Sequence, residues 1–331
     1  MEFKRYILRP LSPWGSPLPS DTLTGLILCR IAEEMGDSVC EETISAFRNG
    51  DPPFILSSIM PYGKIFQPIL PPIGRENFRS WVEKDDVRDK EKKKLSLFEA
   101  LNAQKKFRKN AYLPVDVWVK YARNLSLKAL FRWYCSNIFM SRQMTEKEKR
   151  DEARKKKEMA GVEPHVSIDR MSGCALTGGL FFNRLSWYAK DAAFHLYAKA
   201  KKPDELLSLL QHVGDLGFGK DASTGKGRFS VEEDVSFDPK IFENDGECSL
   251  LCSVCASTDL SSMRGWYAVD SKRGKAGPSV STPFKTPVIL VREGSVLQSL
   301  PKGSYVLSGI HVDPRIVQIT QPFTLPCHVE K

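Results

Sequence analysis

The sequence predicts an α+β fold made of two ferredoxin-like (RRM-like) modules with a charged helical insert and a Gly-rich loop. The second half contains, in order, an alternating strand, an amphipathic helix, a glycine-rich loop and another strand. This is the order of a ferredoxin-like module. The first half opens with strand, helix and strand in the same order. A long charged helical pattern lies between the two units. We therefore expect domains at residues 1–160 and 161–331.

The elements of the first module follow from apolar spacing and helix signals. Residues 3–9 predict a short strand, with Phe3 and Ile7 on one face. A proline-rich loop follows, after which Ser20 or Asp21 is a favourable N-cap. Four apolar residues then repeat at helical spacing: Leu23, Leu26, Ile27 and Ile31. Residues 53–60 predict the second strand.

The positive charge is concentrated in the predicted helical insert. The chain has 331 residues, with 49 Lys plus Arg against 40 Asp plus Glu, a formal net charge of +9. Residues 84–109 hold ten basic and five acidic residues, and residues 142–157 hold eight and four, so these stretches account for the whole excess. Such a field attracts polyanions, but mixed-sign runs are commonly solvated helices. Charge alone leaves open whether they contact RNA, protein or solvent.

The second module has clearer signals. Residues 192–200 alternate, with Phe194 and Leu196 on one face and His195 and Tyr197 on the other, which predicts a half-buried strand. Pro203 is well placed as the first residue of a helix. A glycine-rich loop and a further strand at residues 228–237 complete the unit.

The composition excludes several classes of protein. With 41% hydrophobic and 27% charged residues, the chain resembles ordinary folded soluble proteins. No apolar run approaches the roughly 20 residues that cross a bilayer, and the N-terminal residues lack the apolar stretch of a signal peptide. Eight cysteines at this length do not indicate a secreted disulfide framework. We expect a cytoplasmic protein with reduced thiols.

The loop GFGKDASTGKGR at residues 217–228 is the strongest indication of a polyanion site. It fails as a Walker A motif, because five residues separate Gly219 from Gly225 and Gly227 replaces the magnesium-binding hydroxyl residue. It fails as a dinucleotide fingerprint, because Ala222 replaces the third glycine. Small residues nevertheless let backbone amides approach a phosphate, and three cations supply charge: Lys220, Lys226 and Arg228. The alternative is a flexible hairpin.

Two further clusters are less specific. In HVSIDRMSG, at residues 165–173, a histidine near an aspartate is more commonly a structural pair than a base, and Arg170 can form a salt bridge. Three nearby aromatic residues can stack on bases but at these spacings are more commonly core: Phe181, Phe182 and Trp187. Three cysteines have the spacing of an iron–sulfur site, namely Cys248, Cys252 and Cys255. They lie in a strand-like run, and zinc would need Cys327 or His328 as a fourth ligand, so we predict buried structural thiols and no cofactor.

Six ordered motifs together resemble a known family. They are SPWGSPLPSDTLTG at residues 12–25, PFILSSIMP at 53–61, HVSIDRMSG at 165–173, GGLFF at 178–182, GFGKDASTGKGRF at 217–229 and KTPVILVREGSV at 285–296. The chain resembles the fourth subunit of the type III-A CRISPR Csm effector complex, a RAMP protein of the Cas-five-like group. The resemblance implies two ferredoxin-like RAMP modules without a catalytic centre. It also implies that the chain holds the 5′ repeat-derived tag of the guide RNA (crRNA) and joins the large polymerase-like subunit to the backbone RAMP subunits.

The resemblance also implies which residues contact RNA. The residues expected to do so are Ser20, Thr22, His165, Arg170, Gly217, Gly219, Lys220, Ser223, Thr224, Gly225, Lys226, Gly227 and Arg228. Arg170 is expected to reach a phosphate or a tag base, and the turn at residues 20–23 to place a helix N-terminus, which binds anions well. Target RNA is expected to be contacted only indirectly. The alternative is an enzyme, a repeat-RNA processing endoribonuclease with His165 as general acid or base.

Overall fold

The fold is given by a computed structural model that describes residues 1–85, 87–142, 144–145, 147–148, 150, 157–277, 280 and 282–330. Much of the predicted charged stretch at residues 142–157 therefore lies outside the described residues. The helices of the described chain are α1 (Ser20–Met35), α2 (Asp37–Arg48), α3 (Arg75–Lys84), α4 (Leu97–Phe107), α5 (Val115–Tyr121), α6 (Leu127–Asn137) and α7 (Pro203–Leu216). None of them is long and apolar enough to span a membrane.

The strands are β1 (Glu2–Pro10), β2 (Phe54–Leu56), β3 (Met60–Pro61), β4 (Lys64–Phe66), β5 (Tyr112–Pro114), β6 (Glu158–Ile168), β7 (Ala175–Tyr188), β8 (Phe194–Ala200), β9 (Phe229–Glu233), β10 (Cys248–Leu251), β11 (Arg264–Trp266), β12 (Val269–Lys272), β13 (Val288–Val291), β14 (Val296–Ser299), β15 (Val306–Leu307), β16 (Gln318–Ile319) and β17 (Thr324–Cys327). The strand predicted at residues 53–60 is divided into β2 and β3. The break follows from Ser58, whose amide donates to the carbonyl of Cys252 at 2.8 Å instead of to β8.

The first sheet joins the two predicted strand–helix–strand units. Its order is β2-β8-β1-β9, with β3 also paired to β8, and all these pairs are antiparallel. The chain order β1-α1-β2 and β8-α7-β9 is that of one ferredoxin-like module. The prediction of two such modules is not confirmed, and the predicted boundary at residues 160/161 is crossed by this sheet. Each unit alone has two strands, too few for a stable sheet, and pairing β1 with β8 completes it.

Strand β8 lies at the centre of this sheet and is buried on both faces. Leu196 packs in the core below α1 and α7, while Tyr197 belongs to the core that contains the inserted helices. His195 and Tyr197 are each 0% exposed. The prediction of a half-buried strand is therefore wrong, because rings from later segments cover the face expected to be solvated. Phe237, Phe242 and Phe323 all pack against Tyr197.

The second sheet is antiparallel and has the order β11-β14-β10-β17. If the four strands of each sheet are ranked by their position in the chain, both sheets have the order second, third, first and fourth. The connections at residues 252–263 and 300–323, all of them described, contain no helix. The apolar part of the insert, at residues 115–140, is packed, with Trp118 and Phe131 buried in the same core as residues of the second sheet.

Candidate nucleic-acid interface

The two ends of the glycine loop, residues 217–228, cross each other closely. Gly217 and Gly227 have φ angles of +81° and +74°. A Cβ on Gly217 would lie 2.3 Å from the carbonyl oxygen of Lys226, and one on Gly227 would lie 2.2 Å from that of Phe218. Only glycine tolerates both the backbone conformation and this approach. Phe218, 1% exposed, fixes the crossing by packing in the core.

The loop is tied to two neighbouring segments. The amide of Gly227 donates to the carbonyl of Pro13 at 2.9 Å, and that of Arg228 to Ser12 Oγ at 2.8 Å. On the other side, Asn183 Nδ2 in β7 donates to Asp221 Oδ2 at 2.6 Å. These bonds favour an ordered loop over the flexible hairpin considered from the sequence.

Several loop amides are already used. The amides of Thr224 and Lys226 both donate to the carbonyl of Asp221, at 3.0 and 3.2 Å, and that of Gly225 donates to Ala222 at 2.9 Å. Thr224 Oγ1 also donates to the Asp221 carbonyl. A phosphate cannot take these amides without opening the turn, so the backbone cradle predicted from the small residues is closed at residues 224–226.

The loop cations differ in availability. Lys226 Nζ lies 2.7 Å from Glu163 Oε1 in β6 and 5.5 Å from the centroid of the Trp187 ring, so its charge is largely neutralised. Lys220 and Arg228 are exposed, and their side chains form no ion pair within the described part of the chain. Ser223 is exposed between them. The loop therefore offers positive charge at Lys220 and Arg228 rather than at all three cations.

Strands β6 and β7 form a long hairpin whose sides are mostly exposed. Trp14 anchors β7 through paired backbone bonds with Ser186, at 2.8 and 3.0 Å. At the turn, the Asp169 carboxylate accepts the amide of Met171 at 2.9 Å. Hydrogen bonds, first that from Met171 and then those from Ser172, lower the pKa of Asp169. Asp169 thus holds the turn.

Arg170 lies at the tip of this hairpin with an exposed side chain. It forms no ion pair within the described residues, and the salt bridge considered from the sequence is not formed with Asp169. Its neighbour Met171 is 96% exposed. No hydrogen bond or ion pair among the described residues links Arg170 to the glycine loop.

His165 lies on the face of the hairpin that is turned towards the glycine loop. Its ring stacks on Phe181, with centroids 5.3 Å apart and planes at 13°. Its Nε2 is 3.7 Å from Glu163 Oε2, too far for a hydrogen bond. The structure thus brings His165, Glu163 and Lys226 together, with Glu163 between the other two.

The opposite face of the hairpin is apolar and exposed, which sequence reasoning missed. Its exposed members are Val162, Val166, Ile168, Leu180 and Phe182. Phe182 is 60% exposed, and Phe181 and Trp187 on the other face are 46% and 40% exposed. The interpretation of these aromatic residues as core is wrong. The alternation of apolar residues at positions 162, 166 and 168 was the available signal, but it does not show whether a strand face is covered.

The predicted anion site at the start of α1 is occupied by protein groups. Ser20 is 3% exposed, and its hydroxyl accepts the amide of Val254 at 3.1 Å. Thr22 Oγ1 accepts a bond from Lys272 Nζ at 2.7 Å, and Lys272 also contacts both carboxylate oxygens of Asp21. The Asp21 carboxylate already supplies negative charge at this helix end. The structure therefore separates Ser20 and Thr22 from the exposed RNA-contact candidates.

The three cysteines with the spacing of an iron–sulfur site are buried, as predicted. Cys248, Cys252 and Cys255 lie in or just after β10, and Cys327 of β17 is paired opposite Cys248. Burial raises the pKa of the Cys255 and Cys327 thiols to about 12, which keeps them protonated. Among the described residues, no cluster of histidine, cysteine and acidic side chains is arranged to hold a metal ion.

Comparison with known proteins gives matches in structure only. No family model and no curated protein matches the chain. A chain of the Csm1-Csm4 cassette in complex with cA4 is 15% identical and has a TM-score of 0.58, and one of the cassette with pppApA is 17% identical with a TM-score of 0.56; each match covers 100% of both chains. A chain of the Csm3-Csm4 subcomplex of the type III-A CRISPR-Cas interference complex is 16% identical with a TM-score of 0.53, over 98% and 99% of the two chains.

Csm4 is the component that the cassette and the subcomplex have in common. The chain has a Csm4-like fold. The resemblance inferred from six short motifs, which reached residue 296, is confirmed at the level of the fold and extends over the whole chain. In this fold the exposed hairpin is followed by β8 and the glycine loop by β9, so both precede strands of the first sheet.

Proposed function

We propose that the chain is the non-catalytic crRNA-binding subunit of a type III-A CRISPR effector complex. It holds the 5′ repeat-derived tag of the guide RNA, and it joins a large polymerase-like (Csm1-type) subunit to backbone (Csm3-type) RAMP subunits in the cytoplasm. The observation that carries this proposal is the likeness in fold, over the whole chain, to chains of the Csm1-Csm4 and Csm3-Csm4 assemblies.

The surface of the chain supports a role in RNA binding. Arg170 at the hairpin tip and Lys220 and Arg228 in the glycine loop are exposed cations without ion pairs among the described residues, which suits contacts with phosphates. Phe182 is exposed on the hairpin face turned away from the glycine loop and is suited to stack on an unpaired base. In this mechanism phosphate contacts fix the register of the tag, and stacking and base-edge contacts read it.

The test is binding of the full chain, alone and with its Csm1- and Csm3-type partners, to a tag RNA and to a scrambled RNA of the same length. The tag should bind more tightly, and Arg170→Ala and Lys220→Ala should each remove that preference. Lys201→Ala is the matched control, because it removes an exposed cation that is already paired with Asp51 at 2.6 Å. Equal affinity for both RNAs in the assembled complex would contradict the proposal.

The enzyme alternative has its own readout. Cleavage of repeat RNA by the wild-type chain that disappears in His165→Ala would support an endoribonuclease and overturn the clamp. The stacking of His165 on Phe181 accounts for this histidine without a catalytic role.

A further inference from the structure

The β12–β13 hairpin continues beyond its two strands. The amide of Lys285 donates to the carbonyl of Gly274 at 2.9 Å, and that of Ala276 donates to the carbonyl of Pro283 at 2.8 Å. Lys275 and Phe284 form an isolated bridge between the same two arms. The extended ladder has two faces, since neighbouring residues in a strand point to opposite sides.

One face anchors the hairpin to the rest of the molecule. Lys272 Nζ contacts the Asp21 carboxylate at 2.7 and 2.8 Å, and Lys285 Nζ donates to the carbonyl of Val317 at 2.8 Å. Burial lowers the pKa of Lys285, as expected for a cation used inside the fold. Two of the four basic residues in this region therefore serve to hold it in place.

The other face presents two cations and a ring to solvent. Arg273 and Lys275 are exposed, and Phe284 is 48% exposed. Arg273 Cζ lies 4.8 Å and Lys275 Nζ 5.5 Å from the centroid of the Phe284 ring. Neither cation forms an ion pair with any residue that the structure describes. Residues 271–291 contain four basic and no acidic residues, so no acidic side chain within this segment neutralises Arg273 or Lys275.

We propose that Arg273, Lys275 and Phe284 form a second, sequence-independent binding surface for single-stranded nucleic acid. Clustered cations suit phosphates, and an exposed aromatic ring flanked by cations suits an unpaired base, which a double helix does not offer. The inference goes beyond the proposed grip on the tag. No hydrogen bond or ion pair between described residues joins this surface to the β6–β7 hairpin or to the glycine loop.

The test measures binding of the full chain to a labelled oligouridylate over a salt series. Arg273→Ala/Lys275→Ala should make the slope of log affinity against log salt shallower by about 1.4, which corresponds to two lost phosphate contacts. The matched control is Lys201→Ala/Lys202→Ala, which removes the same net charge from exposed lysines that are already paired with Asp51 and Glu205. It should leave the slope nearly unchanged.

The ring is tested separately. Phe284→Ala should weaken oligouridylate binding about fivefold or more, while Phe284→Trp should retain it. A slope in Arg273→Ala/Lys275→Ala equal to that of the control, or no binding of oligouridylate by the wild-type chain, would overturn the inference. A surface used for an acidic protein segment would give either result.

Failure of the second binding surface can be told apart from failure of the proposed function. The tag preference is a ratio between two RNAs, whereas the second surface contributes equally to both. Loss of the tag preference with the expected change in slope would contradict the proposed function alone. An unchanged slope in Arg273→Ala/Lys275→Ala, with Arg170→Ala still removing the preference, would contradict the second surface alone.

Discussion

The glycine loop and the β6–β7 hairpin adjoin each other, yet they present their functional groups in opposite ways. The loop is fixed by core packing of Phe218 and by bonds to residues 12 and 13, and Lys226 is neutralised by Glu163. The hairpin leaves Phe182 largely exposed and Arg170 without an ion pair among the described residues. Within the proposed RNA interface, the loop therefore acts mainly as a scaffold, while the hairpin offers most of the accessible surface.

The largest expected effect separates the two regions by stability. Phe218→Ala should lower the free energy of unfolding by about 3–5 kcal/mol, because it leaves a cavity in the core. Phe182→Ala should change it by less than about 0.5 kcal/mol, because this ring is exposed on the hairpin. Urea unfolding of both variants measures the contrast. Similar losses of unfolding free energy in Phe218→Ala and Phe182→Ala would show that other parts of the chain cover this face of the hairpin.

The crossing of the loop ends predicts a second contrast, between two glycines. Gly227→Ala should destabilise by about 2–4 kcal/mol, since it combines an unfavourable φ with a Cβ 2.2 Å from the Phe218 carbonyl. Gly225→Ala shares the positive φ of +83° but meets no atom within 4 Å, so about 1 kcal/mol is expected. Equal losses of stability in thermal unfolding would contradict the close crossing.

The sheet that supports the loop should make stability depend on pH through His195. Burial, followed by the positive charge of Arg5, lowers the pKa of His195 to about 3, against about 6.5 when unfolded. Below about pH 6.5 the unfolded state therefore binds a proton that the folded state does not, so this stability is complete above that pH and falls with acid towards about pH 3. The slope is at most about 1.4 kcal/mol per pH unit. His195→Gln should flatten the slope in urea unfolding, and equal slopes would refute this account.

The smallest expected effect concerns the neutralised loop cation. Glu163→Gln removes the partner of Lys226, which should then add to RNA binding and steepen the salt slope by about 0.7. Glu158→Gln is the control on the same strand, because Glu158 accepts a bond from Ser186 Oγ at 2.6 Å and neutralises no loop cation. An unchanged slope in Glu163→Gln would show that Lys226 does not reach the RNA even when released.

Local features of the fold were predictable from the sequence. β1, α1, α7 and β9 follow from alternation, helical spacing and the positions of Ser20 and Pro203. The pairing of β1 with β8 could not be predicted, because it joins residues nearly two hundred positions apart and no local signal specifies it. The same pairing explains why two similar units form one sheet.

The candidate site was predictable in part. The motifs located the glycine loop and Arg170, but the partners that use up Ser20, Thr22 and Lys226 come from distant elements. Residue type and spacing do not show whether a cation is paired. The exposed face of the hairpin was missed for the same reason, since burial depends on what covers a strand.

In the proposed function, the hairpin tip and the glycine loop hold the tag of the guide RNA. The most direct measurement is photo-crosslinking of the complex reconstituted with Csm1- and Csm3-type partners, using a guide RNA with a photoreactive nucleotide in the tag, followed by mapping of the crosslinked peptides. We predict crosslinks within residues 169–182 and 217–228. Tag crosslinks confined to other parts of the chain, such as the charged stretch at residues 84–109, or to the partner subunits alone, would contradict it.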